Sequence, residues 1–149
     1  MRLKNIETFH EDRLDNVRHL GFNFTRYTTS IEPTPLEKKI FNVFVHKESV
    51  IFKLDTISNL DKSNEHISTT KHIIPIKNFN YLTSTFYKTH YLNTALKAIG
   101  YQGEIIFEQE LQLNFLEGNS HDEFVLDYFF QTLNDKIQEG IGYALSEQH

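Results

Sequence analysis

Residues 103–117 read GEIIFEQELQLNFLE, and their alternation constrains the fold more than any other stretch. Ile105, Phe107, Leu111, Leu113 and Phe115 occupy odd positions, interrupted by Gln109. Between 104 and 115, Glu104, Glu108, Glu110, Gln112 and Asn114 occupy even ones, with Ile106 the one apolar exception. A period of two makes an extended chain with one apolar face and one acidic face. A two-residue turn around Gln109 preserves that parity, so the stretch fits either one long strand or a tight hairpin. Strands usually run five or six residues, which favours the hairpin. A chain that builds such a segment needs partner strands and something apolar to lay against the greasy face.

The C-terminal region offers one cover. Ser120 and Glu123 fit an S-x-x-E capping box after Gly118 and Asn119. Behind it Val125, Phe129, Leu133, Ile137, Ile141 and Leu145 recur every four residues, flanked by Tyr128 and Ala144. This predicts a long amphipathic C-terminal helix. Two further helices are expected. Ile6, Phe9, Leu14, Val17 and Leu20 predict one over 3–20, ended by Gly21; Leu82 with Phe86, then Leu92, Leu96 and Ile99, predict one over 79–100, broken near Lys88–His90. Residues 22–32 read as a strand, stopped by the P-T-P of 33–35. Residues 38–57 read as a hairpin, with Phe41, Val43 and Val45 alternating before the polar HKES and Val50, Phe52 and Leu54 after it. Residues 58–70 read as a polar loop. Residues 71–78 read as an edge strand or extended connection, demoted by Pro75.

Strands grouped together without regular βα alternation predict an α+β fold. Its antiparallel sheet is packed on one face by helices, including the C-terminal one. At 149 residues the chain suits a single domain, 1–149. Thirteen Phe and seven Tyr, against one Met and no Trp, give it a ring-rich core.

The same sequence narrows the chemistry. No cysteine is present, which excludes disulfides, thiolate metal ligands and thiol catalysis, and fits a reducing cytoplasm. The N-terminus lacks the apolar run of a secretory signal, and no stretch reaches the roughly 20 apolar residues of a membrane helix. A net charge of −5 without a basic cluster argues against nucleic acid and favours solubility or a basic protein partner. No two of the eight histidines have H-x-x-x-H spacing, and there is no H-E-x-x-H, G-x-S-x-G, G-x-G-x-x-G or P-loop. No metal and no cofactor is expected. His46, His72 and His90, beside or within apolar segments, are the candidates for a small His-dependent hydrolase or nuclease, since acid–base pairs assemble in space and leave no spacing.

The stretch from YLN at 91–93 through the 103–117 strands to the capped last helix resembles type III secretion chaperones and YbjN-like proteins. The resemblance implies a non-enzymatic domain, often dimeric, that binds an extended segment or a face of another protein. More loosely, small acidic chains of this style resemble immunity proteins that block toxins. In this reading the partner-binding residues are Glu104, Ile106, Glu108 and Glu110 on the sheet, with Ile106 an apolar anchor in an acidic rim. Phe124 and Tyr128 add to them, widening the helix stripe beyond what one core requires and offering a homodimer contact.

Overall fold

The computed structural model describes residues 6–14, 17–27, 31–32, 34–88, 91–115 and 120–146; for 6–10, 14, 88, 91–92, 113–115, 120–123 and 125 it describes the backbone alone. The described residues form eight strands followed by one α-helix. The strands are β1 (Ile6–Leu14), β2 (Val17–Tyr27), β3 (Pro35–Val45), β4 (Ser49–Ser58), β5 (His66–Pro75), β6 (Tyr81–Lys88), β7 (Tyr91–Ile99) and β8 (Ile105–Phe115). A short 3-10 turn, Ile76–Asn78, joins β5 to β6, and α1 spans Ser120–Ser146. Within each of two sheets, β1-β2-β3-β4-β5 and β6-β7-β8, every strand pairs antiparallel with its neighbour in sequence.

The class is α+β with antiparallel sheets, and one α-helix packs on the sheets where three were expected. Residues 3–20 supply β1 and the start of β2, with Leu14 opposite Val17. The inward face of β2 is Arg18, Leu20, Phe22 and Phe24, all buried. Its alternation is hidden in the sequence because a charged residue holds the first inward position. Arg18 is only 6% exposed; its guanidinium pairs with Glu11 and lies 3.4 Å from Glu139 of α1. Residues 79–100 form β6 and β7, with Tyr81 opposite Ile99 and Phe86 opposite Thr94. Leu82/Phe86 and Leu92/Leu96 are four apart, a spacing that returns to the same face in strands and helices alike. Thr89 and His90, where the break was expected, lie outside the described residues.

The 38–57 hairpin is present, from Lys38 opposite Ile57 to Val45 opposite Val50. Part of the expected 58–70 loop, from His66, instead opens β5, which ends at Pro75 on the edge of its sheet. The hairpin expected within 103–117 is one strand, β8, paired with β7 from Ile105 to Phe115.

The inner face of the five-stranded sheet is laid out in rows. Arg18, Val45, Val50 and Ile74 form one; Leu20, Val43, Phe52 and His72 the next; Phe22, Phe41 and Leu54 a third. The three-stranded sheet closes one end of this face through Phe107, whose ring lies 4.9 Å from Phe52 and stacks on His72 at 4.3 Å. α1 closes the rest. Phe129 meets Phe22 edge-on at 4.9 Å, and Phe130 lies between Phe24 and Phe86. The buried residues of α1 are Leu126, Phe130, Leu133, Ile137, Ile141 and Ala144. The expected stripe, stepping by four, advances about 400° per step and so drifts about 40° each time around a helix of 3.6 residues per turn. The real face mixes steps of three and four, which leaves Leu145 exposed and Phe129 only partly covered. Gly140 allows the close approach of α1 to β2 and β3: a Cβ there would stand 3.0 Å from Arg18 Cδ and 3.3 Å from Val45. The Ser120–Glu123 capping box lies outside the described side chains.

Candidate partner-binding surface

The outward face of β6-β7-β8 is built in rows as well. Thr83, Lys97 and Glu108 are in register, as are Thr85, Ala95 and Glu110, and Tyr87, Asn93 and Gln112. Glu108 and Glu110 are exposed here, on the side opposite buried Phe107 and Leu111. Their charge is partly answered. Glu108 faces Lys97 across the ladder, and Glu110 accepts a hydrogen bond from the Tyr87 phenol. Desolvation, that hydrogen bond and the negative charge of Glu110 and Glu108 all raise the Tyr87 pKa above its ordinary 10.0.

A bulge shapes one end of this face. Ala98 pairs with Phe107 and Ile99 with Ile105, so Ile106 opposes no residue of β7. An extra residue in one strand disturbs the inward–outward alternation. Ile105 is 54% exposed and Ile106 36%, although strict parity predicts Ile105 inside. Tyr81 is exposed at the far end of the Tyr81–Ile99–Ile105 row, and Tyr101 in the following turn is exposed too. The result is a small exposed apolar group of Tyr81, Ile105 and Ile106 next to the acidic positions of β8, while Tyr101 borders Lys77, Ile141 and Leu145 instead. Sequence reasoning found Ile106 but missed Tyr81 and Ile105; Ile105 was missed because a bulge leaves no mark in the alternation of β8 alone.

Glu104 plays a different part. Its carboxylate accepts the Gln102 N–H at 3.0 Å and folds over Gly100. The turn is closed further by Gly100 N–H to the Glu104 carbonyl at 2.9 Å, and by Gly103 at φ +81°, a left-handed conformation that suits glycine. Glu104 is exposed but committed to the β7–β8 turn.

Phe124 and Tyr128 lie one turn apart on the outer side of α1, 70% and 67% exposed. The opposite flank of the helix meets β6. Asn134 Oδ1 accepts the Leu82 N–H at 2.8 Å, and Gln138 Nε2 donates to the Asn80 carbonyl at 2.6 Å. Beside this contact is a cleft of about 190 Å³, lined by Thr83, Ser84, Asp127, Gln131 and Asp135 among others.

His72 stacks on Phe107 at 4.3 Å, His46 lies 6.4 Å from Phe44, and His90 lies outside the described residues. His19, which was not a candidate, stacks on Phe44 at 4.6 Å and sits 2.7 Å from Asn42 Oδ1. Among the described residues no three His, Asp or Glu side chains form a group that could hold a metal ion. No helix is long and apolar enough to cross a membrane among them. Comparison of the chain with models of protein families, with curated proteins and with solved structures found no match.

Proposed function

We propose that this chain is a non-catalytic protein-binding domain that holds a partner protein soluble or inactive, in the manner of a chaperone or a toxin-immunity protein. The observation that carries the reading is the set of exposed apolar side chains Tyr81, Ile105 and Ile106 at one end of the three-stranded sheet, next in the strand to exposed Glu108 and Glu110. Apolar anchors give such a surface its affinity, and a charged rim selects the partner and speeds encounter. The rim favours a partner with basic residues next to an apolar segment. Phe124 and Tyr128 extend the binding surface onto α1. A chain without cysteine performs this role unchanged in a reducing cytoplasm.

The test is suppression of aggregation. A basic reporter protein diluted from denaturant is followed by light scattering with and without equimolar chain. The wild type is expected to lower the scattering severalfold. Ile106→Asp abolishes most of the effect, and the Glu108→Lys/Glu110→Lys pair weakens it and reverses its salt dependence. Circular dichroism of each variant verifies the fold. Equal activity in all three chains would remove this face from consideration, and no suppression by the wild type of basic or acidic reporters would defeat the holding role.

A further inference from the structure

Two sheets have four edges, and an unpaired edge is a template for another strand. Among the described residues three of the four are guarded. β1 carries Glu7, Glu11, Asp12 and Arg13; Asn134 of α1 accepts the Leu82 N–H of β6, and Gln138 donates to Asn80 just before that strand; β8 lies beside β2. Among these residues β5 is the exception. It is ten residues long, HISTTKHIIP, with Lys71 as its one fully charged side chain. Residues 66–71 are exposed on both faces, and Ile67 and Ile73 are each 61% exposed.

The backbone shows which groups are free. Ile76 N–H bonds the Glu48 carbonyl at 2.9 Å, in the same register that pairs Pro75 with Ser49. Antiparallel bonding alternates, so the even residues of β5 bond β4 and the odd ones, Ile67, Thr69, Lys71 and Ile73, aim their N–H and C=O groups outward. Pro75 falls on an outward position, where its missing N–H costs β4 nothing.

We propose that the free edge of β5 pairs antiparallel with β5 of a second copy of this chain, with the two-fold axis at Thr70. This register joins outward groups to outward groups, Ile67 to Ile73 and Thr69 to Lys71, each twice by symmetry. It sets the exposed isoleucines against one another on one face. Charge favours it as well. Within one chain Lys53 lies opposite Lys71, and Asp55 opposite Thr69, whose hydroxyl donates to it. In the dimer the row reads Asp55, Thr69, then Lys71 and Lys53 of the second copy, so each lysine pair approaches a carboxylate. A shift of the axis to Lys71 would oppose two lysines and bring Pro75 into the ladder. A shift to Thr69 would set Ile67 against Lys71.

The absence of cysteine makes the test clean. In the full chain Thr70→Cys places two thiols across a non-hydrogen-bonded pair, where Cβ atoms are about 4.5–5.5 Å apart, within reach of a disulfide. Mild oxidation is expected to yield a covalent dimer at least tenfold faster than with Thr69→Cys or Ile73→Cys, whose symmetry mates are displaced along the ladder. Sedimentation of the wild type from 1 to 100 μM shows mass rising toward twice 17.6 kDa. Lys71→Pro, which removes only an outward N–H, weakens association tenfold or more without changing the circular dichroism spectrum. A wild type that stays monomeric throughout overturns the proposal. So does a dimer that ignores Lys71→Pro, which would assign association to another surface such as Phe124 and Tyr128, or cross-linking equal at all three positions. Neither readout involves a reporter protein, so this pairing and the holding role fail separately.

Discussion

At the scale of single residues the most consequential placement is a cation inside the core. Arg18 occupies an inward position of β2 between apolar rows and is anchored by Glu11 of β1 and Glu139 of α1. Glu11 also accepts from Lys136 Nζ at 3.0 Å, so one carboxylate links β1, β2 and the helix. Burial pushes the Glu11 carboxyl up, but hydrogen bonds from Lys136 and Arg18 and the charge of both cations outweigh it and hold the pKa below 4.5. A depressed folded-state pKa means stability that is present above the unfolded value and lost as pH falls through the folded one. Glu11→Gln is therefore expected to cost about 1–2 kcal/mol at pH 7, since a charge-assisted bond is lost while the carboxylate stays in contact with water. The penalty shrinks as pH drops below about 4.5, because protonation inflicts the same loss on the wild type. Thermal melts of both chains from pH 7 to pH 3 check this; a gap that does not narrow would show that the carboxylate charge contributes nothing.

Among elements, strands with regular alternation were legible and the rest were not, for identifiable reasons. Burial alternates from Phe41 to Val45 in β3 and from Val50 to Leu54 in β4, and the hairpin of 38–57 is where the pattern put it. β2 was obscured by Arg18. β6 and β7 present Ser84 and Thr94 inward, where apolar residues would have marked the period. Leu82 and Phe86, four apart, satisfied a helical reading equally well. On β8 the acidic outward face was readable residue by residue, but the bulge that turns out Ile105 depends on β7 and lies beyond one strand's sequence. The long helix was readable in extent, and its buried face was misjudged by a steady rotation of the assumed stripe. The β6–α1 junction was not visible at all, since amides at 134 and 138 look like ordinary surface positions. They nonetheless shield an edge. Asn134→Ala leaves the Leu82 N–H without its acceptor and is expected to cost about 1–2 kcal/mol. Urea denaturation measures it, and an unchanged midpoint would mean that water replaces the amide at no cost.

At the scale of the whole molecule, the two sheets and the helix share one core. Phe22, Phe24, Phe86, Phe129 and Phe130 sit where the three meet. Phe130→Ala removes a ring from that junction and is expected to cost about 3–5 kcal/mol. Because both sheets lose the same contact, the loss should appear as one cooperative transition moved to lower denaturant. Tyrosine fluorescence and far-ultraviolet circular dichroism should superimpose in the variant as in the wild type. Separate transitions would show that the sheets hold together independently.

The order of the chain adds a temporal consequence. A ribosome emits residues 6–115 before the segment 120–146 that roofs their phenylalanines, so every nascent copy passes through an interval with a greasy platform facing solvent. Pausing of translation in that interval would penalise yield far more than the finished protein's stability implies.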